Sequence, residues 1–441
     1  MWSLRRRAGA VPRVSAPNVI RLLAASILLA LSPLGAPVAQ AISPPKIEDK
    51  WLPRPALPAP PGPTVQREVC DTVAAAQPGR NELADLMDLP RVWRLTRGAG
   101  QRVAVIDTGV ARHRLLRDVV PGGDYVSTGD GSQDCDAHGT LVAGIVAANA
   151  DGFSGVAPEA TVLSIRQSST KFAPAGDRSL TGVGDVDTLA KAVRTAADLG
   201  ASVINISSVA CAPATKGLND RALGAALAYA VDVKNVVVVA AAGNGPQCPP
   251  QPPDATWDTV AVAVSPAWYD DYVLTVGSLN ADGTPSPFSL AGPWVDVAAP
   301  GEAVRPLGSP PVSGTSYAAP VVSGLAALVR ARFPALTARQ VMRRIESTAH
   351  HPPAGRDPRV GHGAVDALAA VSTGPSAPPE RPRPAPIATP PPPAGGSPPN
   401  PRARNTALRG AAGCAAALTA ALAIGAVGRV LRRSRDDVPG H

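Results

Sequence analysis

The chain has 441 residues, of which 45% are hydrophobic, 17% charged and 3% aromatic, and its formal net charge is +8. The apolar fraction excludes a wholly disordered chain, and the length allows one large domain or two ordinary ones. No basic face interleaved with aromatics is visible, so no nucleic-acid partner is expected; the clusters Arg5–Arg7 and Arg432–Arg433 instead flank apolar stretches, as membrane targeting requires.

In chain order, residues 1–41 read as a secretory signal. Arg5, Arg6, Arg7, Arg13 and Arg21 make a basic start, Leu22–Leu34 is an apolar core, and Val38-Ala39-Gln40-Ala41 fits small-x-small cleavage. The alternative is an uncleaved anchor, against which Pro33, Gly35 and Pro37 break the run too early for a span. Residues 42–98 form a Pro-rich extension with one short helical pattern, Asn81–Asp88. Such a segment buries little core of its own and is expected to lie along the surface of the domain after it.

From 99 to 373 strands alternate with helices. Val103–Ile106, Thr161–Ile165, Val203–Ile206 and Val236–Ala241 are apolar runs of buried-strand type. Val186–Leu199 and Arg221–Val233 have helical spacing, with Gly200 where a C-cap belongs. The alternation predicts an α/β domain with a mainly parallel sheet covered on both faces, three layers in all. Residues 374–409 are a Pro-rich linker. Residues 410–428 then run without a charge; as a helix they would measure about 28 Å, close to the thickness of a bilayer core. A buried or interfacial helix is the alternative. The tail 429–441 carries Arg429, Arg432, Arg433 and Arg435. With the signal removed, the expected arrangement is one C-terminal transmembrane helix in the cell membrane, the domain on the extracytoplasmic side and the tail in the cytoplasm.

Three segments carry chemistry. In Val103–Gly109 an acid, Asp107, ends an apolar strand before a glycine turn, and sites form at the carboxyl ends of parallel strands. Asp-Thr-Gly also occurs in aspartic proteases, but those need two such acids and no second one exists here. In Asp136–Gly144, His138 opens a small-residue apolar helix, a setting suited to a general base held by a carboxylate. In Ser313–Pro320, Ser316 sits among small residues at a helix start, where free N–H groups favour a developing oxyanion. A fourth segment, Val236–Ala241 running into Ala242-Gly243-Asn244-Gly245, lets the Asn244 amide donate into the cleft beside the Ser316 backbone N–H. Each motif alone is also explained by a cap or a turn.

Together, in the order Asp, His, Ser, the motifs resemble subtilisin-like serine proteases over roughly Gly98–Val371. The resemblance implies the fold of that family, a triad of Asp107, His138 and Ser316, Asn244 as an oxyanion donor, and a peptide substrate added as a strand beside Ser207, Ser208 and Val209. Closer still, the signal, the Pro-rich extension, Asp134–Thr140, Pro266-Ala267-Trp268-Tyr269, Gly292–Val297 and the C-terminal span resemble the mycosins, membrane-anchored proteases of mycobacterial type VII secretion systems. That implies exported proteins as substrates and a type VII secretion membrane complex as partner. A mainly structural role in that complex is the second reading, and a degradative envelope protease the third. Two departures stand out. The extension is too short and Pro-rich for a subtilisin folding pro-domain, and Ser207–Cys211 replaces the glycines that follow the family's substrate strand, which predicts a narrower pocket.

Of five cysteines, Cys70, Cys135, Cys211 and Cys248 are well separated and Cys414 stands apart in the C-terminal apolar run. The absence of a Cys-x-x-Cys pair argues against zinc, and no metal or cofactor is expected. Cys211 and Cys248 each follow one of two strands joined by a single crossover helix. Those strands should be neighbours, which pairs Cys211 with Cys248 and, by elimination, Cys70 with Cys135.

Overall fold

The computed structural model describes residues 42–372 apart from 74–80, 151–152, 178 and 180. The segments read as signal, linker, apolar span and tail, and Cys414 with them, lie outside the described residues. Among the described residues no helix is long and apolar enough to cross a membrane.

Seven strands form one sheet: β1 (Arg102–Asp107), β2 (Val119–Asp124), β3 (Thr161–Arg166), β4 (Val203–Ile206), β5 (Val237–Ala241), β6 (Leu274–Leu279) and β7 (Val297–Pro300). Their order across the sheet is β7-β6-β5-β4-β1-β3-β2, and every neighbouring pair is parallel. Continuous Val, Ile and Ala runs explain the burial of β1, β4 and β5, because a parallel strand is covered on both faces. The edge strand β2 reads Val-Val-Pro-Gly-Gly-Asp and breaks register between Pro121 and Gly123, as proline requires at an edge.

Helices α1 (His138–Ala147) and α4 (Thr315–Arg332) pack together against the sheet; α2 (Val186–Asp198) packs on β1, β3 and β4 and on α3 (Arg221–Ala228); α5 (Ala338–Thr348) packs on α4 and β5. Local chemistry sets their ends. Asp185 and Thr188 form a capping box on α2, Thr337 and Gln340 form another on α5, and Gly200 takes a positive φ of 76° just beyond α2. Helix α4 is buried almost all round from Thr315 to Val329, which its Ala, Val, Leu and Gly content permits.

The chain extends the sheet from β1 on one side, then returns to the other side of β1 with β4. That reversal creates a crevice outside the carboxyl ends of β1 and β4, where ligands bind in open α/β sheets.

The described part of the extension follows the surface of this domain. The Ile42 N–H donates to the Trp257 carbonyl, and the Arg194 guanidinium to the Pro53 carbonyl. Thr64–Gln66 pairs antiparallel with Phe172–Pro174, and Cys70 is bonded to Cys135. The second disulfide joins Cys211, on a short strand paired with Val262–Ser265, to Cys248. Asn81 caps a single-turn helix, Glu82–Leu86.

Candidate active site

Asp107 is the last residue of β1 and 2% exposed. Its Oδ1 accepts from the Thr108 N–H at 2.7 Å and faces His138 Nδ1 at 2.7 Å. A carboxylate only accepts, so Nδ1 carries the proton and Nε2 is left as the acceptor. Ser316 Oγ lies 3.0 Å from that Nε2. The imidazole thus spans a buried carboxylate and a serine hydroxyl from three separate segments of the chain.

His138 is aimed by the turn before it. Ala137 adopts a left-handed backbone with φ of 61°, a conformation that costs an L-residue about 1–3 kcal/mol. Asp134 over-determines that turn. Its carboxylate accepts from the Thr140 N–H (2.8 Å), Thr140 Oγ1 (2.6 Å), Thr108 Oγ1 (2.8 Å) and the Asp136 N–H (3.2 Å). Asp136 in turn accepts from Ser169 Oγ and from the Thr170 N–H and Oγ1. Sequence reasoning gave neither acid a role, although short polar residues packed around a histidine signal such a network.

Burial disfavours the charged imidazole of His138. The charge and hydrogen bond of Asp107, followed by the charges of Asp134 and Asp136, outweigh it and lift the ring above its ordinary value. Burial likewise pushes the Asp134 carboxyl up, opposed by its hydrogen bonds from Thr140 and Thr108. The Tyr317 ring lies 5.1 Å from the His138 ring, and burial with the nearby Asp107 and Asp134 charges moves its hydroxyl up to about 12.

Asn244 follows β5, at the carboxyl end of the neighbouring strand. Its Oδ1 accepts from the Thr315 N–H and Thr315 Oγ1, both at 3.0 Å, which turns Nδ2 away from Thr315. A Cβ built on Gly314 would stand 3.0 Å from Ser316 Oγ and 3.7 Å from Asn244 Nδ2, so the hydroxyl and the amide border one space. The Cys248 N–H donates to the Asn244 carbonyl, and the disulfide to Cys211 ties this loop to the chain beyond β4. Ser207, Ser208 and Val209 follow β4 directly. The Ser207 hydroxyl points to helix α4 and donates to the Ser316 carbonyl at 2.9 Å, while Ser208 and Val209 are half-buried. Among the described residues no group of three or more His, Cys, Asp or Glu side chains is arranged to hold a metal ion.

A parallel sheet with an acid, an imidazole and a serine hydroxyl in line at its reversal point defines the class, an α/β serine protease. Residues 98–363 match the family described as "Subtilase family". Mycosin-4 of Mycobacterium tuberculosis is 66% identical over 454 residues, covering 96% of this chain and 99% of that one. The solved structure of "a serine protease MycP1, an essential component of the type VII (ESX-1) secretion system" is 42% identical with a TM-score of 0.70, covering 75% of this chain and all of that one. A chain of an intact ESX-5 inner membrane complex is 40% identical with a TM-score of 0.70, covering 88% and 100%. The chain belongs to the subtilase family of serine proteases, and within it to the mycosins.

Proposed function

We propose that Asp107, His138 and Ser316 are the catalytic triad of a serine endopeptidase. In this reading it acts on a restricted set of exported proteins, within a type VII secretion membrane complex. The observation that carries the reading is His138 bridging Asp107 at 2.7 Å and Ser316 at 3.0 Å. Ser316 Oγ attacks the scissile carbonyl as His138 Nε2 takes its proton. The imidazolium then gives that proton to the leaving amine, forming an acyl-enzyme. Water activated by the same Nε2 hydrolyses the ester and restores Ser316. Asp107 keeps the required tautomer and stabilises the imidazolium. Asn244 Nδ2 and the Ser316 backbone N–H bind the tetrahedral oxyanion. The substrate adds as a strand beside Ser207–Val209, where the side chains of Ser208 and Val209 narrow the space that glycines would leave open.

In the same reading 1–41 is a cleaved signal, 42–98 an extension, 99–373 the catalytic domain, 374–409 a linker, 410–428 a membrane helix and 429–441 a cytoplasmic tail. The protease then works on the outer face of the cell membrane. A structural role beside proteolysis is favoured by the chain of the ESX-5 inner membrane complex whose fold this chain shares. One experiment separates the two roles. In a deletion strain, wild-type protein is expected to restore both secretion and substrate processing, and Ser316→Ala secretion alone. Substrate processing by Ser316→Ala overturns the triad. Secretion no better than the deletion strain, at equal expression, overturns the structural role.

A further inference from the structure

Helix α4 contains Pro320, four residues after Ser316. In an α-helix the carbonyl of residue i accepts from the N–H of residue i+4, and proline has none. The Ser316 carbonyl is therefore left without its helical donor, in the first turn of a helix buried from Thr315 to Val329 except at Ser316 itself. Ser207 Oγ supplies the missing bond at 2.9 Å.

That hydroxyl does not act alone. A carbonyl can only accept, so the Ser207 proton is committed to Ser316, and Ser207 Oγ accepts from Asn205 Nδ2 at 2.9 Å. The Asn205 Oδ1 then faces Ser323 Oγ at 2.8 Å, and Ser323 donates to it. Asn205 and Ser323 are fully buried and Ser207 is 7% exposed. Every proton in the chain of bonds thus has one direction. The chain begins at Ser323 and ends at Ser316, seven residues earlier and about two turns away on the same face of α4.

We infer that Ser207, backed by Asn205 and Ser323, is a positioning residue for Ser316, replacing the helical hydrogen bond that Pro320 removes. This rests on the reading of Ser316 as nucleophile. The carbonyl is bonded to the same Cα as the side chain, so clamping it fixes the peptide plane from which Oγ is aimed at His138. Ser207 also begins the segment beside which substrate is proposed to pair, so one residue registers both the nucleophile and the peptide against the end of β4. Loss of the hydroxyl should slow the chemical step at Ser316 and leave the binding of a small probe, which makes no strand pairing with this segment, unchanged.

The test uses the purified full chain and a fluorophosphonate probe. Ser316 Oγ attacks its phosphorus and fluoride leaves, which reports serine activation without a known substrate. The maximal labelling rate and the half-saturating probe concentration are measured for each protein. Ser207→Ala is expected to lower the maximal rate about 10- to 100-fold, as a misaimed reacting group does, with half-saturation moving less than about twofold. Pro320→Ala returns an N–H at the position that can reach the Ser316 carbonyl, so in that background the same Ser207→Ala change should cost less than about threefold. Ser207→Thr, which keeps the hydroxyl, should retain labelling and Ser323→Ala should lose part of it; these two serve if Ser207→Ala does not fold. Equal losses in both backgrounds, or a loss confined to half-saturation, overturn the clamp. Undiminished labelling of Ser316→Ala overturns instead the underlying triad.

Discussion

Replacing Cys70 and Cys135 together by serine tests how the extension is held. Their sulfurs close a loop with a sequence separation of 65, for which chain entropy gives about 4 kcal/mol of stabilisation. The Cys211–Cys248 loop separates its ends by 37 residues, and because the cost grows only with the logarithm of length its value is within about 0.5 kcal/mol of the first. Size alone therefore does not distinguish the bridges, and location does. Cys135 stands three residues before His138, while the neighbouring extension holds on through the Arg67 and Glu68 N–H groups to the Lys171 carbonyl and the Asp71 N–H to the Cys135 carbonyl. The surface ion pairs of Lys171 with Glu68 and Asp71 add little. The double variant should lose about 4 kcal/mol, a fall in melting temperature of roughly 10 °C for a domain of this size. Protease cuts should appear between Arg67 and Asp71, and fluorophosphonate labelling should slow as the His138 turn loosens. Calorimetry, timed proteolysis and labelling on one preparation check the three effects. An unchanged melting temperature with no new cuts would refute the reasoning.

Asn244→Ala should lower kcat about 10²- to 10³-fold, the usual cost of one oxyanion donor, as measured by steady-state turnover. An effect confined to KM counts against that role. His138 must be neutral to accept the serine proton, so activity rises as pH passes upward through its elevated pKa. Asp134→Asn removes one of the charges that elevate it, and the acidic limb of the kcat/KM profile should move to lower pH; an upward move contradicts the assignment. Asp124→Ala leaves Arg166, 1% exposed, without its carboxylate 3.4 Å away, and should cost about 3–5 kcal/mol in denaturant unfolding. A change below about 1 kcal/mol argues against a buried pair.

Much of the site was legible because its signals are local. Asp107 ends β1, His138 begins α1, Ser316 lies in the first turn of α4 and Asn244 follows β5 by three residues, each beside a mostly apolar run. Four strands announced themselves in the same way. The others did not, for identifiable reasons. Pro121, Gly122 and Gly123 hide the edge strand β2, Gly277 interrupts β6, and β7, Val-Ala-Ala-Pro, has a single β-branched residue and ends in proline. The disulfides followed from adjacency of β4 and β5 once a parallel order was assumed, and the structure pairs the same cysteines. Asn205 and Ser323 stayed invisible, since one polar residue in a strand or a small-residue helix says nothing until its partner, 118 residues away, is known. The route of the extension was equally hidden, because proline-rich sequence has no period and its partners are distant.

That route has a consequence for how the molecule is made. Synthesis delivers the extension first, yet Thr64–Gln66 has no partner until Phe172–Pro174 exists, and Ile42 none until Trp257 does. Its partners lie far along the chain, and closing such long loops is slow. The extension should therefore dock after the sheet has condensed, as a separate cooperative unit with its own opening free energy. Amide hydrogen exchange would then divide the protein in two, with the N–H groups of Val65 and Arg67 exchanging through a small local detachment while those of β1 and β4 exchange only when the whole domain opens.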